Sequence, residues 1–325
     1  MLELEQINKI VDEAFLKLKY EKEPRELYEP MEYTLAFGGK RLRPRFCLTT
    51  YNLFKDKIDE SIVLPAVAIE VFHNFTLIHD DIMDKADIRR GKPTVQKRWD
   101  DNVAILSGDA MCIASYRLLS HAPNDKVQKV LSLFSDSALA VCEGQQFDMN
   151  FETMEKVSIE DYVNMVGLKT GVLIACSATI GAIIGGADDT LCRQIYDFGH
   201  KLGVAFQLQD DYFDSFGDEK VFGKKIGGDI LNNKKTWLLI KSMNIASPSE
   251  RRRIEEVMAM DASEPVRKIN AAKEIMESLG VRGLAEEAIN SVYCDAIHLL
   301  EGMKISGEQK RQLERFADTL VKRTR

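Results

Sequence analysis

The sequence predicts an all-α protein folded as a single domain over residues 1–325, and three observations predict it. Prolines stand at positions 24, 30, 44, 65, 93, 123, 248 and 265, so residues 124–247 lack the strongest helix breaker. Helix-start signals recur: Ser158-Ile159-Glu160-Asp161 and Ser306-Gly307-Glu308-Gln309 read as capping boxes, and Ser247-Pro248-Ser249-Glu250 joins an N-cap to a proline and a glutamate. No run of alternating strands with hairpin turns can be read, nor a strand leading into a glycine-rich nucleotide loop.

Taken in order, the elements follow from hydrophobic spacing. Leu4, Ile7, Ile10, Val11, Phe15 and Leu18 make an amphipathic first helix. A long helix contains Glu70 to Met83, and a second acidic helix follows the apolar run Val204, Ala205, Phe206, Leu208. Between them, Val172 to Ala187 is the most apolar stretch. It is shorter than the ~20 residues of a membrane span and reads as a buried core helix. Gly185-Gly186 and Gly280 fall where helices stop. Glu32 to Arg45, Lys85 to Asn102 and Gly217 to Lys235 interrupt the helical pattern and are the candidate functional loops.

Hydrophobic residues at 45% and charged residues at 29% are globular values, which excludes a disordered or collagen-like chain. The 44 basic and 51 acidic residues leave a net charge of −7, so a nucleic-acid partner is not expected. Six cysteines stand singly, without the spacing of a zinc site or a disulfide framework, and the acidic N-terminus is unlike a signal peptide. A reduced, cytoplasmic protein without a membrane span is expected.

The acid surplus is concentrated in chemistry. Asp80-Asp81-Ile82-Met83-Asp84 recurs 130 residues later as Asp210-Asp211-Tyr212-Phe213-Asp214. At 100° per residue, Asp80 and Asp84 share a helix face, as do Asp210 and Asp214, while Asp81 and Asp211 lie to the side. Like charges so stacked repel unless a cation intervenes. Oxygen-only ligands favour a hard ion such as Mg²⁺ that completes its shell with phosphate oxygens. Two such helices can face each other across a bundle and hold several ions. A polyanion also needs fixed donors, and the loops supply them: Gly38-Gly39-Lys40-Arg41-Leu42-Arg43-Pro44, Arg89-Arg90-Gly91-Lys92, Lys224-Lys225 and Lys234-Lys235.

In this conjunction the chain resembles the trans-isoprenyl diphosphate synthases, the polyprenyl synthetase family, over nearly its whole length. The motifs that carry the likeness are GGKRLRP at 38–44, His73 seven residues before the first aspartate, DDIMD at 80–84 and IRRGKPT at 88–94. LKTG at 168–171, FQLQDD at 206–211, GKKIGGD and NKKT complete the order. The resemblance implies a helical bundle with a central deep cavity and a homodimer. It also implies condensation of isopentenyl diphosphate with allylic diphosphates, assisted by three Mg²⁺ ions per active site. It makes Asp80, Asp84 and Asp210 the metal ligands, supported by Asp81, Asp211 and Asp214. Arg89, Lys169, Gln207, Lys224 and Lys234 match positions holding the allylic diphosphate or its developing cation, with Thr170 beside Lys169 aimed at the cation. Lys40, Arg43, His73 and Arg90 match the isopentenyl diphosphate site. One departure is Asn233, where many relatives have glycine before the lysine.

Product length falls to Phe75 and Thr76, five and four positions before Asp80. An aromatic followed by a small residue, with no insertion in DDIMD, is most similar to synthases of twenty-carbon geranylgeranyl diphosphate, with farnesyl diphosphate as the alternative. Other classes fit less well. Glu70-Val71-Phe72-His73 has the Glu-x-x-His spacing of a di-iron bundle, but no second such pair exists. A terpene cyclase would use similar metal chemistry, but the paired DDxxD and GGKRLRP favour chain elongation. A non-catalytic partner subunit would have no need of intact repulsive aspartates. His79 reads as an ordinary hydrogen-bonded histidine, and the basic end Lys322-Arg323-Thr324-Arg325 as a solvated tail or a flap.

Overall fold

A computed structural model of the chain describes residues 1–217, 226–261 and 263–321. Its elements are α1 (Leu4–Lys17), α2 (Arg25–Leu35), α3 (Leu42–Asn52) and α4 (Glu60–Met83), then two short strands, β1 (Ile88–Arg89) and β2 (Lys92–Pro93). After α5 (Val95–Arg98) come α6 (Asp101–Leu119), α7 (Val127–Thr153) and α8 (Ile159–Val166). A π-helical turn (Gly167–Gly171) leads into α9 (Val172–Gly185), followed by α10 (Asp189–Phe216) and α11 (Gly228–Leu231). The remainder is α12 (Trp237–Ile245), α13 (Pro248–Met258), α14 (Pro265–Ser278), α15 (Val281–Gly302) and α16 (Gly307–Val321).

The sequence signals account for the helix ends. Ser158 and Ser247 each accept a hydrogen bond from the amide of the third residue of their helix, and the Asp161 and Glu250 carboxylates accept one from the cap amide. Ser306 and Gln309 exchange the same pair at the start of α16. Gly186 and Gly280 take φ of +97° and +71°, the left-handed geometry that ends a helix. The β1–β2 hairpin is a small addition to the helical class that the sequence predicts. Its strands are two residues each, too short for alternation to register, and its turn holds Arg90 and Gly91 at φ of +52° and +75°.

By packing, the chain divides into two compact units. The first comprises Met1–Asp136, Leu173–Tyr196 and Met303–Phe316. Its core joins Ile7 of α1, Met31 of α2, Phe46 of α3, Ile69 and Phe72 of α4 and Phe134 of α7. There α9 lies against α3: Thr50 Oγ1 donates to the Ala178 carbonyl at 2.7 Å, and Ser177 donates to the Arg43 carbonyl. The second unit comprises Ser137–Val172, Asp197–Gly302 and Ala317–Arg325. Tyr162, Phe198 and Leu202 are buried in it, and Ile230, Ile254, Val257, Ala272 and Ile275 form a further cluster under α11 to α14.

Two helical stretches, Glu60–Met83 and Ile159–Gly185, are long and apolar enough to cross a membrane by length and composition. In the second, 83% of the apolar window is buried within the protein, the surroundings of a core helix.

Candidate active site

Helix α4 ends immediately after its aspartates: Asp84 is its C-cap and Lys85 turns the chain at φ of +52°. The carboxylates therefore lie at the negative end of the helix dipole, where a carboxylate is least welcome without a cation. They divide by role. Asp81 is buried, and Arg89 clasps it through Nε at 2.7 Å and Nη2 at 2.6 Å. Burial raises the Asp81 pKa, and the guanidinium pulls against that rise. Asp80 is half-buried and Asp84 exposed, so these two remain accessible. The structure thus places Arg89 on an aspartate of the cluster itself, a pairing the sequence did not suggest.

A basic nest adjoins this helix in the same unit. The hairpin turn carries Arg90 onto the glycine loop before α3, where its Nη1 donates to the Gly38 carbonyl. The guanidinium lies so close that a Cβ at Gly39 would stand 2.9 Å from Arg90 Cζ. A side chain there would push the guanidinium aside, and the φ of +130° at Gly39 itself favours glycine; the contact joins the GGKRLRP and IRRGKP segments. One face of α4 completes the nest. Burial holds the His73 pKa well below its usual value, and Arg43, Arg90 and Arg89 push it further down, so the imidazole is neutral. One turn earlier Glu70 is buried; burial raises its pKa while Arg43, Arg90, Arg41 and Arg45 oppose the rise. Lys40 is exposed at the edge of the glycine loop.

In the second unit, α10 carries the other cluster in its last two turns. Asp211 is buried and accepts hydrogen bonds from Tyr162 Oη at 2.5 Å and Gln207 Nε2 at 2.9 Å. Burial, with Asp229 nearby, pushes its pKa up to about 7, against the pull of Lys234 and of these two donors. Gln207 in turn accepts from Thr170 Oγ1 at 3.1 Å, tying α10 to the π-helical turn. Asp214 Oδ2 accepts from the Asp229 amide at 2.9 Å. Asp148 of α7 collects the cations: Lys169 Nζ lies 2.7 Å and Lys234 Nζ 3.8 Å from its Oδ2. Lys235 instead turns away to the Met154 carbonyl. Lys224 and the basic tail from Lys322 lie outside the described residues.

The profile of the polyprenyl synthetases matches residues 24–276. The chain belongs to the polyprenyl synthetase family. It is 41% identical to a geranylgeranyl diphosphate synthase of Methanosarcina mazei over 234 residues, covering 71% of this chain and 72% of that one. It is 34% identical to a geranylfarnesyl diphosphate synthase of Natronomonas pharaonis, covering 97% and 95%. A crystal structure of a geranylgeranyl pyrophosphate synthase superposes with a TM-score of 0.93 at 42% identity over the full length of both chains.

In this polyprenyl synthetase, the wall below Asp80 is aromatic. The Phe75 ring meets His79 at 4.8 Å and Phe72 at 5.2 Å, and Phe72 meets Phe134 edge-on at 5.1 Å. Thr76 donates back to the His73 carbonyl at 2.8 Å. His79 Nε2 is 3.2 Å from the Ile105 carbonyl, as expected of a hydrogen-bonded histidine.

Several participants were not legible beforehand. Asp148 and Tyr162 are single polar residues in otherwise ordinary helices. Their only signal is indirect: Lys169 and Lys234 need a counter-charge, and an inward Asp211 needs donors. Glu70 carries no motif of its own, and the field of Arg43, Arg90, Arg41 and Arg45 on it comes from segments distant in sequence.

With Asp81 and Asp211 buried on protein donors, the more accessible carboxylates are Asp80 and Asp84 on α4 and Asp210 and Asp214 on α10. Among the described residues no three His, Cys, Asp or Glu side chains form a complete metal cage. Oxygen-only donors in small number fit Mg²⁺, which keeps water and substrate oxygens in its shell.

Proposed function

We propose that this chain is a short-chain trans-prenyltransferase that condenses isopentenyl diphosphate with allylic diphosphates and releases geranylgeranyl diphosphate. The observation that carries the reading is that each acidic cluster buries one aspartate on protein donors, Asp81 on Arg89 and Asp211 on Tyr162 and Gln207, while its other aspartates are half-buried or exposed. The names of the relatives support the product.

In this reading Asp80, Asp84 and Asp210 hold Mg²⁺, three ions per active site, with Asp81, Asp211 and Asp214 fixing the ends of the two helices. When bound, the ions supply Lewis-acid stabilisation for charge gathering on the diphosphate. Lys169, Lys234, Arg89 and Lys224 donate to the departing diphosphate as the allylic C–O bond breaks and its electron pair stays on oxygen. Lys40, Arg43 and Arg90 bind isopentenyl diphosphate by charge. Neutral His73 adds a hydrogen bond without the repulsion a fourth cation would bring. Thr170 and Gln207 present oxygens to the allylic cation, and their mutual hydrogen bond fixes their aim. The isopentenyl double bond attacks that cation, and a proton lost to the released diphosphate completes the new bond. Phe75 and Thr76 limit the tail.

The chain acts as one polyprenyl synthetase domain, in the cytoplasm and as a homodimer. Six free cysteines support the compartment, and the exposed Ile105, Leu106 and Ile113 of α6 support self-association.

The test is product sizing. Purified protein with Mg²⁺, labelled isopentenyl diphosphate and each short allylic diphosphate is expected to yield a twenty-carbon product. A fifteen-carbon product favours the farnesyl alternative. A twenty-five-carbon product favours the chemistry of the geranylfarnesyl relative, and no condensation at all overturns the reading.

A further inference from the structure

Asn233 and Lys268 are a pair that the chemistry described so far does not use. Asn233 holds φ at +54°, a left-handed conformation that costs any residue with a Cβ but is tolerated best by asparagine. It follows Asn232, the C-cap of α11, and its amide bonds back to the Ile230 carbonyl at 3.2 Å. The next amide, that of Lys234, reaches the Asp229 carbonyl at 2.9 Å. The turn at Asn233 therefore decides where Lys234 leaves the backbone.

Beneath this turn lies Lys268 of α14, only 2% exposed. Its ammonium donates to Asn233 Oδ1 at 2.8 Å, to the Met258 carbonyl at 3.0 Å and to the Leu231 carbonyl at 3.5 Å. Those three acceptors are all neutral oxygens. Burial disfavours the charged ammonium and the Asp261 carboxylate offsets part of that cost, so the oxygens it grips directly do the rest of holding it. What it grips is the end of α11 and the one side chain of the left-handed residue. Glycine would reach φ of +54° unaided; here an asparagine does so with its side chain anchored.

We propose that Lys268 is a positioning residue that, by gripping Asn233, sets the backbone from which Lys234 reaches Asp148 and the allylic diphosphate. This rests on the reading of Lys234 as a diphosphate ligand.

The experiment is steady-state kinetics of the full chain with Mg²⁺, with each substrate varied in turn, alongside melting temperatures. Lys268→Met is expected to raise KM for the allylic diphosphate by about 5- to 50-fold while KM for isopentenyl diphosphate stays within about twofold. Adding Asn233→Gly to Lys268→Met is expected to recover most of that loss, because glycine takes the turn without its anchor. A merely structural lysine would weaken both substrates together and would not be rescued by glycine. Should Lys268→Met not fold, Asn233→Ala, which removes the acceptor and strains the turn, is expected to show the same one-sided rise. Loss spread equally over both substrates, or a double variant no better than Lys268→Met, overturns the proposal. Lys234→Ala separates the layers. If it leaves the allylic KM unchanged, the diphosphate reading of Lys234 falls and takes the proposal with it. If it raises that KM while neither Lys268→Met nor Asn233→Ala does, the proposal alone fails.

Discussion

Asp148 stands between two ammonium groups and has no equivalent in either aspartate-rich motif. Its pKa is lowered although burial pushes it up, since Lys234 and Lys169 outweigh the desolvation. Removing the carboxylate leaves two cations to repel each other and drift from their places. Asp148→Ala is expected to reduce kcat/KM by about 10- to 100-fold, or roughly 1.4–2.7 kcal/mol of transition-state stabilisation; an unchanged value in steady-state assays would deny the lysines their shared anchor. His73 gives a pH prediction. Its folded pKa lies below the unfolded 6.5, so as pH falls through 6.5 the unfolded chain takes up the proton first and stability is lost. The slope approaches about 1.4 kcal/mol per pH unit at most. Urea unfolding at pH 7.5 and 5.5 should show this loss in the wild type and less of it in His73→Gln. The sequence marked His73 by its place in a motif. It could not mark Asp148, whose partners lie 21 residues or more away in the chain.

The π-helical turn shows how much of an element is written locally. It runs from Gly167 to Gly171, with a glycine at each end. What surrounds it could not be read, because close approach is a property of two segments at once. A Cβ at Gly144 of α7 would lie 2.8 Å from Lys169 Cα, and one at Gly203 of α10 would lie 2.6 Å from Gly171 Cα. Two helices therefore press on the turn through bare backbone. Gly144→Ala is expected to lower stability by about 1–3 kcal/mol, overpacking outweighing the gain of about 1 kcal/mol in helix propensity. Gly283→Ala in α15, where an added Cβ meets nothing within 4 Å, should show that gain alone. Opposite shifts in melting temperature would confirm the contrast, and equal ones would refute it. In α4, Phe75→Ala opens the first aromatic layer. The product is expected to lengthen by at least one five-carbon unit, with Phe72 and Phe134 as the next barrier; an unchanged product distribution on chromatography would remove Phe75 from the measuring wall.

At the scale of the whole molecule, the helical class, the caps and the position of both aspartate clusters were legible, because each is a local pattern of a few residues. The division into two units was not, since α7, α9, α10 and α16 each contribute residues to both and leave no linker to read. Ligand linkage gives the molecular test. Mg²⁺ with an unreactive diphosphate analogue is expected to raise the melting temperature by more than the sum of either alone, each hundredfold excess over Kd contributing about 2.7 kcal/mol. Additive shifts would mean separate sites. Asp80→Ala is expected to cut turnover by orders of magnitude yet leave the metal-free protein as stable or more so, and marked unfolding would assign Asp80 to the scaffold instead.

The aspartates of α4 terminate their helix at its negative pole, and this has a bearing on how the protein is handled. Ordinary sodium or potassium chloride should firm up the chelator-treated protein by shielding that crowded charge, and should do little for the magnesium-loaded complex. Purification in dilute buffer with EDTA would therefore be the harshest condition this enzyme meets.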